Sequence, residues 1–163
     1  MNKLKFFSES IKNIKTIGTV TRSSKFLCEK IVEQVDFENS KVLVELGAGD
    51  GVVTELILER MRPDAVLLTF EVNEKFAETI RKKIKDKRMI LITDSAEKLP
   101  EYLKKHNFDK ADNICSELPF VSLPEPLGNS IKTKCRDSLK KGGRYVQIHY
   151  SLLEKSSYER IFG

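Results

Sequence analysis

The stretch Val42-Leu43-Val44-Glu45-Leu46-Gly47-Ala48-Gly49-Asp50-Gly51 decides the fold of this 163-residue chain. Its first three residues form an apolar run that is typical of a buried strand. Three glycines follow at alternate positions, and a helical pattern of apolar residues continues through Val53, Leu56 and Ile57. Glycine lets the backbone turn sharply and lets a ligand approach closely, because it carries no Cβ atom. The stretch therefore predicts a strand, a tight turn and a helix in succession.

The same alternation of strand and helix continues along the chain. Apolar runs predict further strands at residues 65–70, 89–93, 111–116 and 145–149. Helical spacing predicts helices at residues 23–35, 76–84, 99–103 and 128–140, and from 152 onward. This order predicts an α/β fold with a Rossmann-like, mostly parallel sheet and helices on both faces. In such sheets ligands bind beyond the carboxyl ends of the strands.

An N-terminal amphipathic helix is predicted to precede this domain. Apolar side chains recur at helical spacing at Leu4, Phe7, Ile11 and Ile14. Residues 1–25 contain six basic side chains and one acid, whereas the remainder of the chain is neutral overall, so the net charge of +5 belongs to this segment. We therefore divide the chain into a basic helix with its connector, residues 1–22, and a Rossmann-like domain, residues 23–163. The basic helix favours an anionic partner.

Composition excludes several other classes of protein. Hydrophobic residues make up 40% and charged residues 33% of the chain, a balance typical of folded globular domains. No apolar run approaches the roughly 20 residues of a membrane-spanning helix, and we expect no secretory signal. The three cysteines and two histidines lack the spacing of a zinc site or a disulfide framework. We therefore expect a cytoplasmic protein without a bound metal.

The glycine pattern differs from two common nucleotide-binding loops. A dinucleotide-binding turn needs a third glycine where this chain has Val52, and a phosphate-binding loop needs a Gly-Lys-Ser/Thr sequence. A plain strand-to-helix turn remains the simpler alternative.

Acidic residues follow the predicted strands at the expected ligand-binding edge. Glu71 lies 20 residues after Gly51, where a carboxylate can accept hydrogen bonds from both ribose hydroxyls of a nucleoside. Asp94 follows the third strand and could accept a hydrogen bond from the amine of adenine. Asp50 places negative charge within the glycine turn, which would repel a pyrophosphate and attract a sulfonium. Each acid alone is typical of a solvated strand end, but together they favour a cationic adenosyl ligand.

The glycine stretch, with Glu71 and Asp94, resembles the cofactor-binding half of class I S-adenosylmethionine-dependent methyltransferases. The resemblance implies S-adenosylmethionine as cofactor. It also implies that Glu45 and the glycines frame the methionine part, that Glu71 holds the ribose, and that Asp94 with Ser95 recognises adenine. The other implied cofactor contacts are Ser24, Gly47, Ala48, Gly49, Asp50, Val72 and Ser116.

Strand four runs into Ser116-Glu117-Leu118-Pro119-Phe120, where many amine methyltransferases carry Asn-Pro-Pro-Tyr or Asn-Leu-Pro-Tyr. Glu117 replaces the asparagine. In such a motif the proline holds an extended turn that directs carbonyl groups toward the acceptor nitrogen, and the aromatic ring faces a cationic amine. We therefore predict that Glu117, Leu118, Pro119 and Phe120 are the catalytic residues. The Glu117 carboxylate would attract an acceptor ammonium and receive its proton. An ordinary proline turn with a core phenylalanine is the alternative.

Longer stretches, residues 17–27, 116–124 and 142–147, resemble the bacterial phospholipid N-methyltransferases, which methylate phosphatidylethanolamine. The resemblance implies a lipid amine substrate and a peripheral association with anionic membranes through the N-terminal helix. Three features depart from the pattern. Glu117 stands where a small residue is usual, Arg22 stands where proline is common, and the usual last two strands of the sheet are expected to be missing.

Two other functions remain open. An RNA adenine N-methyltransferase of the dimethylase type shares the Leu-Pro-aromatic turn. The neutrality of residues 26–163 argues against a nucleic-acid partner. A non-enzymatic module that only binds S-adenosylmethionine is the second alternative.

Overall fold

The computed structural model describes residues 25–148 and 155–163. The predicted helix within residues 1–22, the predicted contact Ser24 and the end of the fifth predicted strand lie outside these ranges. None of the helices within the described ranges is long and apolar enough to cross a membrane.

Six helices and five strands alternate along the described part of the chain. The helices are α1 (Lys25–Val32), α2 (Val52–Arg60), α3 (Glu74–Lys83), α4 (Leu99–Lys105), α5 (Glu125–Ser138) and α6 (Lys155–Phe162). The strands are β1 (Val42–Leu46), β2 (Val66–Phe70), β3 (Met89–Ile92), β4 (Ala111–Ser116) and β5 (Leu139–Gln147). Short 3-10 turns follow β3 and β4, at Ala96–Lys98 and Phe120–Ser122.

The five strands form a sheet in the order β3-β2-β1-β4-β5, in which each pair of neighbours is parallel. The chain proceeds outward from β1 to β3 and then crosses back to place β4 on the other side of β1. This reversal of strand order is the point at which doubly wound sheets bind ligands. The glycine turn lies there, at the end of β1, and the predicted Rossmann-like fold is confirmed.

Apolar side chains cover both faces of the sheet. Because side chains alternate along a strand, Leu43 faces one core and Val44 the other. The first core packs α1, α2 and α3 against the sheet, with Ile57 and Ile80 fully buried. The second packs α4 and α5 against the opposite face, around residues such as Ile131. Each such side chain contributes roughly 1.5–3 kcal/mol on full burial, so the two cores hold the strand ends in fixed positions.

The boundary between α5 and β5 differs from the prediction. The helix expected at residues 128–140 spans Glu125–Ser138, and β5 begins at once with Leu139 instead of at residue 145. Proline is favourable in the first helical turn, which explains the earlier start at Glu125-Pro126. Gly142 and Gly143 lie within β5, beside a shift of register against β4, and do not end the helix. Gly142 has a φ angle of 78°, and a Cβ atom on Gly143 would lie 2.8 Å from the Asp112 carbonyl oxygen, so this irregular strand requires glycine.

Candidate active site

The glycine turn is held by backbone hydrogen bonds and packed closely against the loop after β4. Gly47 donates its N–H to the Phe70 carbonyl oxygen at 2.8 Å, which ties the end of β1 to the end of β2. The φ angles of Gly47, Gly49 and Gly51 are 82°, 58° and 84°, in the left-handed region that favours glycine. A Cβ atom on Gly47 would lie 2.9 Å from the Leu118 side chain. The absence of this atom therefore lets the two halves of the site meet.

Glu71 connects the end of β2 to the glycine turn. Its carboxylate accepts hydrogen bonds from the backbone N–H groups of Gly49 and Asn73, both at 2.8 Å. The side chain is buried, and its position is set by backbone atoms on both sides. A carboxylate offers about four acceptor positions, the chemistry that the hydroxyls of a ribose require.

Asp94 lies at the end of β3 in a network of donors. It accepts hydrogen bonds from the Ser95 backbone N–H at 2.7 Å, from Lys98 Nζ at 2.9 Å and from the Tyr102 hydroxyl at 3.2 Å. Burial opposes the ionisation of Asp94, but the bond from Lys98 and the other two outweigh it, so the pKa of Asp94 lies below its ordinary value. Ser95 also caps the following turn, since its Oγ atom accepts from the Glu97 N–H at 3.2 Å. Lys98 and Tyr102 were not identified from the sequence, although helical spacing from Asp94 could have indicated both.

A narrow pocket joins the strand ends of the cofactor side. It is lined by Gly47, Phe70, Glu71, Val72, Asp94, Ala96 and Leu118. Two anionic hydrogen-bond acceptors, Glu71 and Asp94, therefore share a pocket with apolar walls. This combination fits a nucleoside, whose hydroxyls and amine need acceptors and whose base needs apolar contact. The structure brings together residues that were predicted from three separate strand ends.

Glu45 lies beneath the glycine turn and is fully buried within β1. Its carboxylate accepts hydrogen bonds from the hydroxyls of Thr54, at 2.8 Å and 3.0 Å, and Thr69, at 3.1 Å. Burial raises the pKa of Glu45 to about 7, and the nearby charge of Glu71 adds to this rise. Glu45 thus links β1 to α2 and β2 under the turn, while the pocket is lined by other residues. The two threonines were not identified from the sequence.

Glu117 follows β4 and faces the other carboxylates of the site. Its backbone N–H donates to the Leu46 carbonyl oxygen at 2.9 Å, which fixes the loop beside the end of β1. Its Oε1 atom is buried and has no hydrogen-bond partner in the described part of the chain. Burial, followed by the charges of Glu45, Asp50 and Glu71, raises the pKa of Glu117 well above its ordinary value. Among residues 25–148 and 155–163, no group of three or more His, Cys, Asp or Glu side chains is placed to hold a metal ion.

The predicted acceptor aromatic, Phe120, is buried in the second core. The Lys132 ammonium lies 5.1 Å from its ring centroid, and the Tyr158 ring contacts it edge to face with centroids 6.0 Å apart. The Phe120 N–H donates to the Leu118 carbonyl oxygen at 2.9 Å, which closes a tight turn around Pro119. The cation that the structure places at this ring is therefore a lysine of the protein. The contact of Phe120 with an acceptor stays a prediction.

Polar side chains at the end of β5 and β4 support the same loop. Gln147 donates from Nε2 to the Leu118 carbonyl oxygen at 3.0 Å, and the Tyr145 hydroxyl donates to Gln147 Oε1 at 2.7 Å. The Oγ atom of Ser116 accepts from the Leu118 N–H at 3.3 Å. Ser116 is completely buried, so in this structure it holds the loop in place. The loop is thus fixed from both neighbouring strands.

The parallel sheet, the glycine turn at its switch point and the paired carboxylates define a class I S-adenosylmethionine-dependent methyltransferase. Within this class, the chain belongs to the family described as ribosomal RNA adenine dimethylase, whose model matches residues 18–163.

Curated relatives of the chain include enzymes with two kinds of substrate in their names. An ornithine lipid N-methyltransferase of Singulisphaera acidiphila is 28% identical over 144 residues, which cover 88% of this chain and 75% of that protein. A ribosomal RNA small subunit methyltransferase A of Mesomycoplasma hyopneumoniae is 26% identical over 106 residues, which cover 65% of this chain and 38% of that protein. The chain therefore matches most of the first relative and well under half of the second.

Solved structures share the fold at low sequence identity. An rRNA methylase from Streptococcus thermophilus superimposes with a TM-score of 0.63 at 18% identity, covering 89% of this chain and 81% of that one. A SAM-dependent O-methyltransferase from Thermotoga maritima gives a TM-score of 0.65 at 15% identity, covering 93% of this chain and 54% of that one. These similarities establish the methyltransferase fold.

Proposed function

We propose that the protein is an amine N-methyltransferase whose acceptor is the head group of an amino lipid, with phosphatidylethanolamine and ornithine lipid as the two candidates. The observation that carries this proposal is the match to the ornithine lipid N-methyltransferase, which extends over 88% of this chain. The neutral charge of residues 26–163 also favours a lipid over a nucleic acid, which requires a basic surface.

The residues of the site have distinct roles in this proposal. S-adenosylmethionine, when bound, supplies an electrophilic methyl group. Glu71 and Asp94 hold the adenosyl part through their acceptor oxygens, and the glycine turn lets the cofactor lie close to the backbone. The loop of Leu118 and Pro119 orients the acceptor nitrogen. Orientation of two bound reactants accounts for much of the rate in reactions of this type. An alkyl ammonium must lose a proton before it reacts, and Glu117 is the carboxyl group nearest this loop.

Association with a membrane surface is part of the proposal. The basic, amphipathic pattern of residues 1–22 is typical of helices that lie in the lipid interface. Val121, immediately after Phe120, is 53% exposed, and Phe26 on α1 is 68% exposed. An exposed apolar side chain beside the acceptor loop suits a lipid substrate better than it suits a polar substrate. We propose a cytoplasmic enzyme that binds anionic membranes peripherally.

An RNA adenine N-methyltransferase is the second candidate function. It is favoured by the match of residues 18–163 to the ribosomal RNA adenine dimethylase family and by the rRNA methyltransferases among the relatives. The Leu-Pro-aromatic turn fits either acceptor, because both reactions methylate a nitrogen.

A methyl-transfer assay with labelled S-adenosylmethionine distinguishes the two candidate functions. The purified protein is incubated with vesicles that contain phosphatidylethanolamine or ornithine lipid, in neutral or anionic background lipid, and in parallel with unmethylated small-subunit ribosomal RNA. We expect labelled methyl groups in the amino lipid. The amount of label should be higher with anionic vesicles than with neutral ones and should decrease when salt is added. Phe7→Glu/Ile11→Glu should reduce this label and vesicle binding together, since the apolar stripe would no longer enter the interface.

Labelled RNA with unlabelled lipid would overturn the lipid proposal in favour of the second candidate. Cofactor binding without transfer to any acceptor would instead support a non-enzymatic module. Glu71→Ala serves as the control for cofactor-dependent label, because it alters the proposed ribose contact and leaves the N-terminal segment unchanged.

A further inference from the structure

Glu117 differs from the other carboxylates of the site in the protein groups around it. Glu45 and Asp94 each accept hydrogen bonds from two or more donors, and Glu71 accepts from two backbone N–H groups. By contrast, no group of residues 25–148 or 155–163 donates a hydrogen bond to the buried Oε1 atom of Glu117. A buried acceptor without a partner destabilises the folded protein, so such a group is uncommon unless a ligand or proton satisfies it.

Within the described ranges, the charged groups that face Glu117 are all acidic. Glu45 approaches from β1, Asp50 from the glycine turn and Glu71 from the end of β2, and each makes ionisation of Glu117 less favourable. On β4 itself, burial and then the charges of Glu45 and Glu117 raise the pKa of the Cys115 thiol, so that group stays neutral. In the described part of the chain, no lysine or arginine forms an ion pair with Glu117. Among the described residues, none supplies a positive charge to Glu117, so a proton or a cationic ligand is the proposed source.

We propose that Glu117 responds to the charge of the bound ligand: it holds a proton when no cationic group lies beside it, and it releases that proton to water when a sulfonium or an alkyl ammonium group takes this position. The inference rests on the proposed function, because the cofactor and the acceptor supply these two cations. Glu117 has one proton to release, so its ionisation offsets the first positive charge that arrives and keeps the charge of the pocket constant at that step.

The same property distinguishes the cofactor from its product. S-adenosylhomocysteine carries a neutral thioether in place of the sulfonium, and otherwise offers the site the same adenosyl and methionine groups. If the sulfonium lies beside Glu117, the ionised carboxylate attracts the substrate form of the cofactor and has no such attraction for the product. After transfer, once the methylated ammonium group has also left, Glu117 takes up a proton from water again, and the attraction for a cation is lost until new cofactor binds.

Calorimetric titration in two buffers with different ionisation enthalpies measures the protons exchanged on binding. S-adenosylmethionine and S-adenosylhomocysteine are each titrated into the wild type, Glu117→Gln, Glu117→Asp and the control Glu59→Gln, whose exposed carboxylate lies at the far end of α2. We expect the wild type and the control to release up to one more proton with S-adenosylmethionine than with the product. This difference should be lost in Glu117→Gln and kept in Glu117→Asp. The affinity for S-adenosylmethionine divided by that for S-adenosylhomocysteine should increase with pH by at most tenfold per pH unit. This increase should occur only in the pH range over which Glu117 titrates.

A second series identifies the source of the cation. Short-chain phosphatidylethanolamine is titrated into the protein saturated with S-adenosylhomocysteine. If protons are released by the wild type and not by Glu117→Gln, the acceptor ammonium is the cation to which Glu117 responds. Equal proton counts for both cofactor forms, and none with the lipid amine, would overturn the proposal while leaving cofactor binding intact. No binding of either cofactor form would instead overturn the proposed function and the inference with it. Thermal unfolding verifies that Glu117→Gln is folded, and the pH dependence of the wild-type affinity ratio tests the proposal without any variant.

Discussion

The two sides of the ligand-binding edge differ in how their polar groups are satisfied. At the ends of β2 and β3, Glu71 and Asp94 are held by donors from the protein, so their acceptor positions exist before a ligand arrives. After β4, Glu117 has a buried oxygen without a donor, and Phe120 packs against Lys132 inside the core. Under the proposed function, the cofactor side would recognise hydrogen-bonding groups, whereas the loop after β4 would respond to charge.

The largest expected effect is on the free energy of unfolding and concerns Glu45, the buried carboxylate of β1 that lies between the two sides of the ligand-binding edge. Its folded-state pKa of about 7 exceeds the ordinary value of 4.5, so between these pH values the folded protein binds more protons than the unfolded chain. The free energy of unfolding therefore falls as pH rises through this range, and a difference of this size corresponds to roughly 3 kcal/mol. Urea denaturation at a series of pH values measures this loss.

Glu45→Gln removes the titration and keeps an acceptor for the two threonines. We expect the free energy of unfolding of this variant not to decrease between pH 4.5 and pH 7. The difference in this free energy between the variant and the wild type should therefore grow with pH. Parallel curves for the two proteins would show that Glu45 is ionised throughout and that burial does not control its charge.

A smaller effect is expected from the cofactor side. Glu71→Ala and Asp94→Ala each remove a charged acceptor from the pocket, and a hydrogen bond to a charged group contributes about 1.5–3 kcal/mol. We expect the affinity for S-adenosylmethionine to fall by roughly 10- to 150-fold in each variant, measured by calorimetric titration. An unchanged affinity for S-adenosylmethionine in both variants would contradict the proposed difference between the two sides, since Glu71 and Asp94 would then have only a structural role. Glu59→Ala is the matched surface control.

The smallest effect compares two glycines of the same turn. Both have positive φ angles, so alanine strains the backbone by about 1–2 kcal/mol at either position. At Gly47 the new Cβ atom would also lie 2.9 Å from Leu118, whereas at Gly49 no described residue beyond its chain neighbours has an atom within 4 Å. We expect Gly47→Ala to lower the free energy of unfolding by about 1 kcal/mol more than Gly49→Ala, by analogy with overpacking in cores. Equal losses in denaturant titrations would mean that Leu118 moves away without cost.

Sequence patterns predicted the parts of the site that depend on local order along the chain. The glycine turn, Glu71 and Asp94 were identified because residues that follow parallel strands converge at one edge of the sheet. The partners of Glu45 were not identified, since Thr54 and Thr69 carry no pattern that distinguishes them from other polar side chains.

The sequence by itself determined the alternation of strands and helices, the position of the ligand-binding turn and the acids around it, because each follows from short-range periodicity and from the special backbone of glycine. Only the tertiary structure decided the length of β5, the burial of Phe120 and the unpartnered oxygen of Glu117. These depend on which segments pack together: the register shift against β4 sets where β5 begins, and the positions of Lys132 and Tyr158 set where the Phe120 ring lies. The charge of a buried carboxyl likewise depends on its distance from other charges, and that distance is a property of the folded chain.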